Sequence, residues 1–245
     1  MTEERNKVRE RVLALARSDD RVSGGAVTGS AVLGEEDRWS DIDLSFGIKD
    51  GVPLELVLDE WTRALASDLG VAHHWDLRLD PTTYRIILLL NGLQVDLAVT
   101  PAAEFGPRGP KFQLVFGEGE AREPRGQRSL DELIGMGWLS ALAARTSIGR
   151  GKPWMAEYWA SSVRDHALML ACIRFGEPPE YARGFDRLPA DVLDPSRETL
   201  VRSLEANELR RALVKAVDLF MSEVGHAKPE LGPRLGPALK AAIAI

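Results

Sequence analysis

The sequence predicts an α+β chain in which a mixed sheet with helices, residues 1–120, precedes an all-helical domain, residues 121–245. Three observations carry this prediction. In the first half, apolar residues form short strand-length segments, two of which meet across Asn91-Gly92, the strongest hairpin signal in the chain. From Gly117 to Arg128 the hydrophobic periodicity stops, and Gly, Pro, Arg and Glu dominate as they do in a linker. Beyond that stretch apolar residues recur at helical spacing.

The first element is an amphipathic helix from Thr2 to Arg17, with Val8, Val12, Leu15 and Ala16 on one face and Gly24-Gly25 as its end. A short run, Ala26-Val27, enters the turn Thr28-Gly29-Ser30. After a polar loop, Ile42 to Ile48 alternates as a strand does. Pro53 suits the first turn of a second helix, which presents Leu54, Val57, Leu58, Trp61 and Leu65 on one face and stops at Gly70. Strands follow at Trp75 to Leu79, Tyr84 to Leu90, Leu93 to Val99 and Gln113 to Phe116. In the second half the periodicity predicts helices over Leu130 to Ile148, Trp154 to Phe175, Arg197 to Leu204 and Glu208 to Val224. The tail to Ile245 carries Pro229, Pro233 and Pro237 before a short apolar end, and no helix is assigned to it.

Composition limits what the protein does. Uninterrupted apolar runs such as Ile86 to Leu90 are far short of the ~20 residues a membrane helix needs, and the charged N-terminus is unlike a signal peptide. A soluble, cytoplasmic protein with no membrane partner is expected. The single cysteine, Cys172, reads as a small buried hydrophobe, and the four histidines form no zinc-spaced cluster, so any metal must take oxygen ligands. The net charge of −6 argues against a nucleic acid polymer as partner. Residues 1–120 carry 21 acidic against 13 basic side chains, a net of −8, and residues 121–245 carry 16 against 18. An acidic face would favour a cationic small-molecule acceptor, although acidity also serves plain solubility.

The chemistry concentrates in one ordered set. Val27-Thr28-Gly29-Ser30 places a strand before a small-residue turn, and ten residues later comes Asp41-Ile42-Asp43-Leu44. Side chains alternate along a strand, so Asp41 and Asp43 leave one face ~7 Å apart while Ile42 and Leu44 enter the core. Two such carboxylates suit hard cations. Gly29 lets phosphate approach the backbone, and Ser30 can donate to phosphate oxygens from its hydroxyl and its amide. Asp96, a lone carboxylate in the run LQVDLAV, would be costly there without a cation or a donor.

On these residues the chain resembles the DNA polymerase β nucleotidyltransferase superfamily, whose pattern is an apolar residue, Gly-Ser, a spacer, Asp-apolar-Asp and a third acid on a later strand. The resemblance covers roughly residues 1–120. It implies an N-terminal catalytic domain in which two Mg²⁺ ions, held by Asp41, Asp43 and Asp96, bridge to the triphosphate of ATP or another nucleoside triphosphate while an acceptor hydroxyl attacks the α-phosphorus. Arg38 could neutralise a phosphate or be a plain surface arginine.

Residues 144 to 176, ARTSIGRGKPWMAEYWASSVRDHALMLACIRFG, are similar to second-domain helices of antibiotic nucleotidyltransferases of the aminoglycoside and lincosamide type. In the aminoglycoside 4′-type enzymes a helix glutamate followed by tyrosine and, two turns on, arginine supplies the general base. Glu157-Tyr158 and Arg164 stand in comparable order. By itself an acid one turn after Pro153 is also what the helix dipole favours. Lys152 could reach the triphosphate or be an exposed loop lysine. Ser161 and Asp165 share a helix face with Glu157 and could line an acceptor pocket. Trp154, Tyr158 and Trp159 read as interdomain core, although an aromatic at a cleft edge, such as Tyr158, is also suited to stack on a sugar or base. His166 falls on an apolar stripe and reads as a satisfied core histidine.

The resemblance implies an adenylyltransferase (EC 2.7.7 type) acting on a small, cationic, antibiotic-like acceptor, and with it antibiotic resistance. The alternative is an antitoxin-type nucleotidyltransferase that modifies a protein or RNA. The acceptor, the base and the oligomeric state stay open.

Overall fold

The computed structural model describes residues 2–124, 126 and 128–244. The chain divides into two compact units, Met1–Gly126 and Gln127–Ile245. Residues 118–124, 126, 128 and 129 between the last strand of one and the first helix of the other are neither helix nor strand.

The first unit runs α1 (Thr2–Arg17), β1 (Val22–Thr28), a 3-10 turn (Gly29–Leu33), β2 (Ile42–Ile48), α2 (Leu54–Leu69), β3 (Val71–Leu79), β4 (Thr82–Leu89), β5 (Gln94–Pro101) and β6 (Phe112–Gly117). The strands form one six-stranded sheet in the order β3-β4-β5-β2-β1-β6. Among the described residues only β2 and β5 pair in parallel; the other four pairings are antiparallel. The expected hairpin joins β4 to β5, with Gly92 at φ +84° in the position where a β-carbon would be strained.

Alternation decides which face is which. Ile42, Leu44, Phe46 and Ile48 of β2 and Val95, Leu97 and Val99 of β5 point to one side, where Val8, Val12, Leu13 and Ala16 of α1 and Val57, Leu58, Trp61 and Leu65 of α2 close over them. This face is the core. Each fully buried aliphatic or aromatic side chain there contributes on the order of 2 kcal/mol. Asp43 and Asp96 occupy the intervening positions and so lie on the opposite face.

Two expectations in this unit change. Gly24 and Gly25 do not end α1 but lie inside β1, paired with Gly47 and Phe46 of β2. The Phe105 ring fills the space a Gly24 side chain would need, and the Phe116 ring fills that of Gly25. Glycine here is a packing requirement, which reads like a stop signal in the sequence. Pro53, expected in the first turn of α2, stands one residue before it as the cap.

The second unit runs α3 (Leu130–Gly149), α4 (Pro153–Phe175), α5 (Ala190–Arg197), α6 (Ala206–Ala227) and α7 (Gly232–Ile243). Its core is built by Leu133, Ala141, Ala160, Val163, Leu213 and Phe220 with their neighbours from α3, α4, α6 and α7. Ser129 caps α3 by accepting from the Glu132 amide, and Arg174 donates to both carboxylate oxygens of buried Glu223, tying α4 to α6. The helix expected over Arg197 to Leu204 lies earlier, at Ala190–Arg197, because Pro189 fixes the backbone just ahead of it. The tail is helical despite its prolines. Pro233 sits in the first turn, where no N–H is needed, and burial of Leu239 and Ile243 outweighs the hydrogen bond lost at Pro237.

No helix among the described residues is long and apolar enough to cross a membrane.

Candidate metal and nucleotide site

Three carboxylates converge on the face of the sheet opposite the core. Asp43 and Asp96 are register partners across β2 and β5, and Asp41 precedes β2 with the same facing. Each of the three offers one oxygen, and these oxygens all lie within 4.8 Å of one another. All three side chains are half-buried. Burial first, and then the negative charge of Asp41, push the Asp96 carboxyl above its usual range, against a hydrogen bond from Gln94. The Gln94 amide donates to Asp96 Oδ1 at 2.9 Å and, more weakly, toward Asp41 Oδ2 at 3.4 Å.

This donor set fits a hard divalent cation. It is all oxygen, it concentrates negative charge, and the desolvated Asp96 is the group that a cation would relieve.

The turn beside the triad is built around Asp43. Gly29 has φ +75°, and a β-carbon there would collide with Asp43 Oδ2. The Gly29 amide donates to the Lys111 carbonyl at 3.3 Å, and the neighbouring Asp43 carboxylate leaves no room for a side chain at Gly29. Ser30 stands in the 3-10 turn, its carbonyl accepting from the Glu35 amide at 3.1 Å.

The loop that delivers Asp41 is pinned from below by a residue the sequence reading missed. Arg5 of α1 is only 2% exposed, and its guanidinium donates to the carbonyl of Asp37 and, at 2.9 Å, to that of Ser40. Glu36 lies 3.4 Å away as counter-ion and also pairs with Arg9. A signal was present: Arg5 falls three residues before Val8 on the apolar stripe, a place where a cation must have buried partners. The same loop is closed by Asp37, which accepts from the Trp39 amide at 2.8 Å. Arg38 is exposed, its guanidinium 4.4 Å from the Trp39 ring centre.

In the second unit the candidates lie along α4. Glu157 Oε1 accepts from the Ser161 hydroxyl at 2.8 Å, and Asp165 Oδ1 accepts from Arg164, so the expected shared face is occupied by local hydrogen bonds. Lys152 caps α4 and is exposed. Trp154 and Tyr158 are 75% and 63% exposed rather than core, while Trp159 packs on the helical core and meets Tyr158 edge-on at 4.9 Å. His166 is buried as expected, its Nδ1 donating to the Ser162 carbonyl at 2.7 Å. Its Nε2 has no partner among the described residues, so it is only half satisfied. Cys172 is buried and its thiol is pushed up to about 11 by that burial, which makes it inert.

No protein-family model and no curated protein matches the sequence. Solved structures similar to the chain include the following two. One is an aminoglycoside 6-adenyltransferase from Bacillus subtilis, at 14% identity over 95% of this chain and 96% of that one, with a TM-score of 0.41. The other is a nucleotidyltransferase-like protein from Exiguobacterium sibiricum 255-15, at 14% identity over 97% of this chain and 78% of that one, with a TM-score of 0.40. Neither likeness assigns a reaction or an acceptor to this chain.

Proposed function

We propose that this protein is a Mg²⁺-dependent nucleotidyltransferase that moves a nucleoside monophosphate, AMP from ATP, onto a hydroxyl of a small, cationic, aminoglycoside- or lincosamide-like acceptor. The observation that carries the reading is the convergence of Asp41, Asp43 and Asp96, whose oxygens lie within 4.8 Å, beside the tight Gly29-Ser30 turn.

Asp41, Asp43 and Asp96 would hold two Mg²⁺ ions, which when bound neutralise the triphosphate and make the acceptor hydroxyl more acidic. Ser30 donates to the phosphates from its hydroxyl and amide, with Arg38 and Lys152 as further cations. The acceptor oxygen forms a bond to the α-phosphorus, the bond from that phosphorus to the bridging oxygen breaks, and pyrophosphate leaves in line. The hydroxyl proton passes to a carboxylate, Glu157 or Asp96. Tyr158, Ser161 and Asp165 belong to the acceptor side of this reading.

A pyrophosphate-release screen tests it. Purified protein is given each triphosphate with Mg²⁺ and a panel of aminoglycosides, lincosamides and nucleosides. Release that requires both Mg²⁺ and one acceptor class supports the reading; no acceptor-dependent release with any triphosphate contradicts it. Release that appears only with an added protein or RNA would favour the antitoxin-type alternative.

A further inference from the structure

We infer that Trp75 is the platform on which the acceptor ring stacks, and that it is a specificity-determining residue of the site. The inference rests on the nucleotidyl-transfer reading and follows from sheet register. Asp43 pairs with Asp96, Asp96 with Ile86, and Ile86 with Trp75, so one row of residues crosses β2, β5, β4 and β3 on a single face. With strands ~4.8 Å apart, the Trp75 backbone lies about 10 Å from that of Asp96, a distance spanned by one or two sugar rings. Trp75 is 53% exposed, and Ile86 between it and Asp96 is half-buried, giving an apolar floor.

The sheet order fixes which substrate uses this floor. The Gly29-Ser30 turn follows β1, on one side of β2, whereas β5, β4 and β3 lie on the other. Phosphates held at the turn put the departing pyrophosphate toward β1. In-line displacement then brings the acceptor from the opposite side, across Asp96 and over β4 and β3.

Charge selects its chemistry. The positions that β2, β5, β4 and β3 turn to this face hold no lysine or arginine, while Asp43 and Asp96 stand on it. An exposed indole face beside carboxylates attracts a hydroxylated ring with an apolar C–H face and an ammonium group. Trp75 would be the contact that distinguishes such a ring from a flexible chain bearing the same charges.

Calorimetric titration reads this without turnover. Kanamycin is added to the wild-type protein, Trp75→Ala and Trp75→Phe, each with Mg²⁺ and α,β-methylene-ATP, after binding of that analogue has been measured alone. The expected result is at least tenfold weaker kanamycin binding in Trp75→Ala, affinity within threefold of wild type in Trp75→Phe, and analogue affinity unchanged in both. Equal kanamycin affinity in Trp75→Ala, or no kanamycin binding to a wild-type protein that does bind the analogue, overturns the inference alone. Failure of the wild type to bind the analogue overturns the nucleotidyl-transfer reading and the inference with it. Sedimentation of the same proteins covers the remaining occupant: a wild-type dimer that becomes a monomer in Trp75→Ala would assign this face to a second copy of the chain and overturn the inference.

Discussion

Asp43 and Asp96 stand side by side as register partners across the parallel pairing of β2 and β5. Register partners on neighbouring strands share one height and one face, so two carboxylates 53 positions apart in sequence are brought side by side. The parallel arrangement in turn requires the long connection through α2, β3 and β4.

Gly29→Ala should damage the site while leaving the fold intact. The new methyl meets Asp43 Oδ2, and the left-handed backbone adds strain of about 1 kcal/mol. Turnover should fall more than tenfold with an unaltered circular dichroism spectrum. Turnover at the wild-type level would mean that the placement of Asp43 is not what the glycine serves.

Arg5 should act as a positioning residue for Asp41. Arg5→Met leaves the carbonyls of Asp37 and Ser40 and the charge of Glu36 without their buried partner, at a cost of roughly 3 kcal/mol. At a temperature where the variant is still folded, the Mg²⁺ concentration needed for half-maximal activity should rise, which simple loss of stability would not produce. An unchanged Mg²⁺ dependence assigns Arg5 to stability alone.

Glu157→Gln separates catalysis from helix structure. If Glu157 is the base, kcat should fall by ~10²–10⁴ while KM for the triphosphate stays the same. The amide can still accept from the Ser161 hydroxyl, so the folded state should be little affected. A kcat within threefold of wild type moves the base to Asp96.

Acid should weaken the first unit through Asp19. Hydrogen bonds from the Arg21 side chain come first among the causes that lower its carboxyl from 3.8 to about 2, with the Arg21 amide and the Trp61 indole N–H adding to them. A folded pKa below the unfolded one gives stability that is present above pH 4 and lost as pH falls from 4 towards 2. Urea unfolding of wild type and Asp19→Asn should therefore show a gap at pH 6 that narrows by pH 3. A gap independent of pH would mean the carboxylate's charge does not contribute.

The triad and the strands carrying it were legible because each depends on local pattern: Asp-x-Asp on an alternating strand, a lone acid in LQVDLAV, and Asn-Gly between two apolar runs. What escaped reading depends on residues distant in sequence. Gly24 and Gly25 are glycines because Phe105 and Phe116 occupy their side-chain space, and nothing near them in the chain says so. The first half of β3, before Trp75, was missed because Ala72, His73 and His74 are all exposed, which erases the period-two contrast that betrays a strand. Helix α7 was missed because three prolines outweigh local propensity until the packing of Leu239 and Ile243 is known.

The most direct test of the central claim is the turnover of Asp43→Asn in the pyrophosphate-release assay, at saturating triphosphate and acceptor over a range of Mg²⁺. The substitution keeps the volume and the sheet pairing of Asp43 but removes one charge from the cluster. The account predicts activity reduced more than a thousandfold with an unchanged melting temperature. Turnover within tenfold of wild type and the same Mg²⁺ dependence would contradict it.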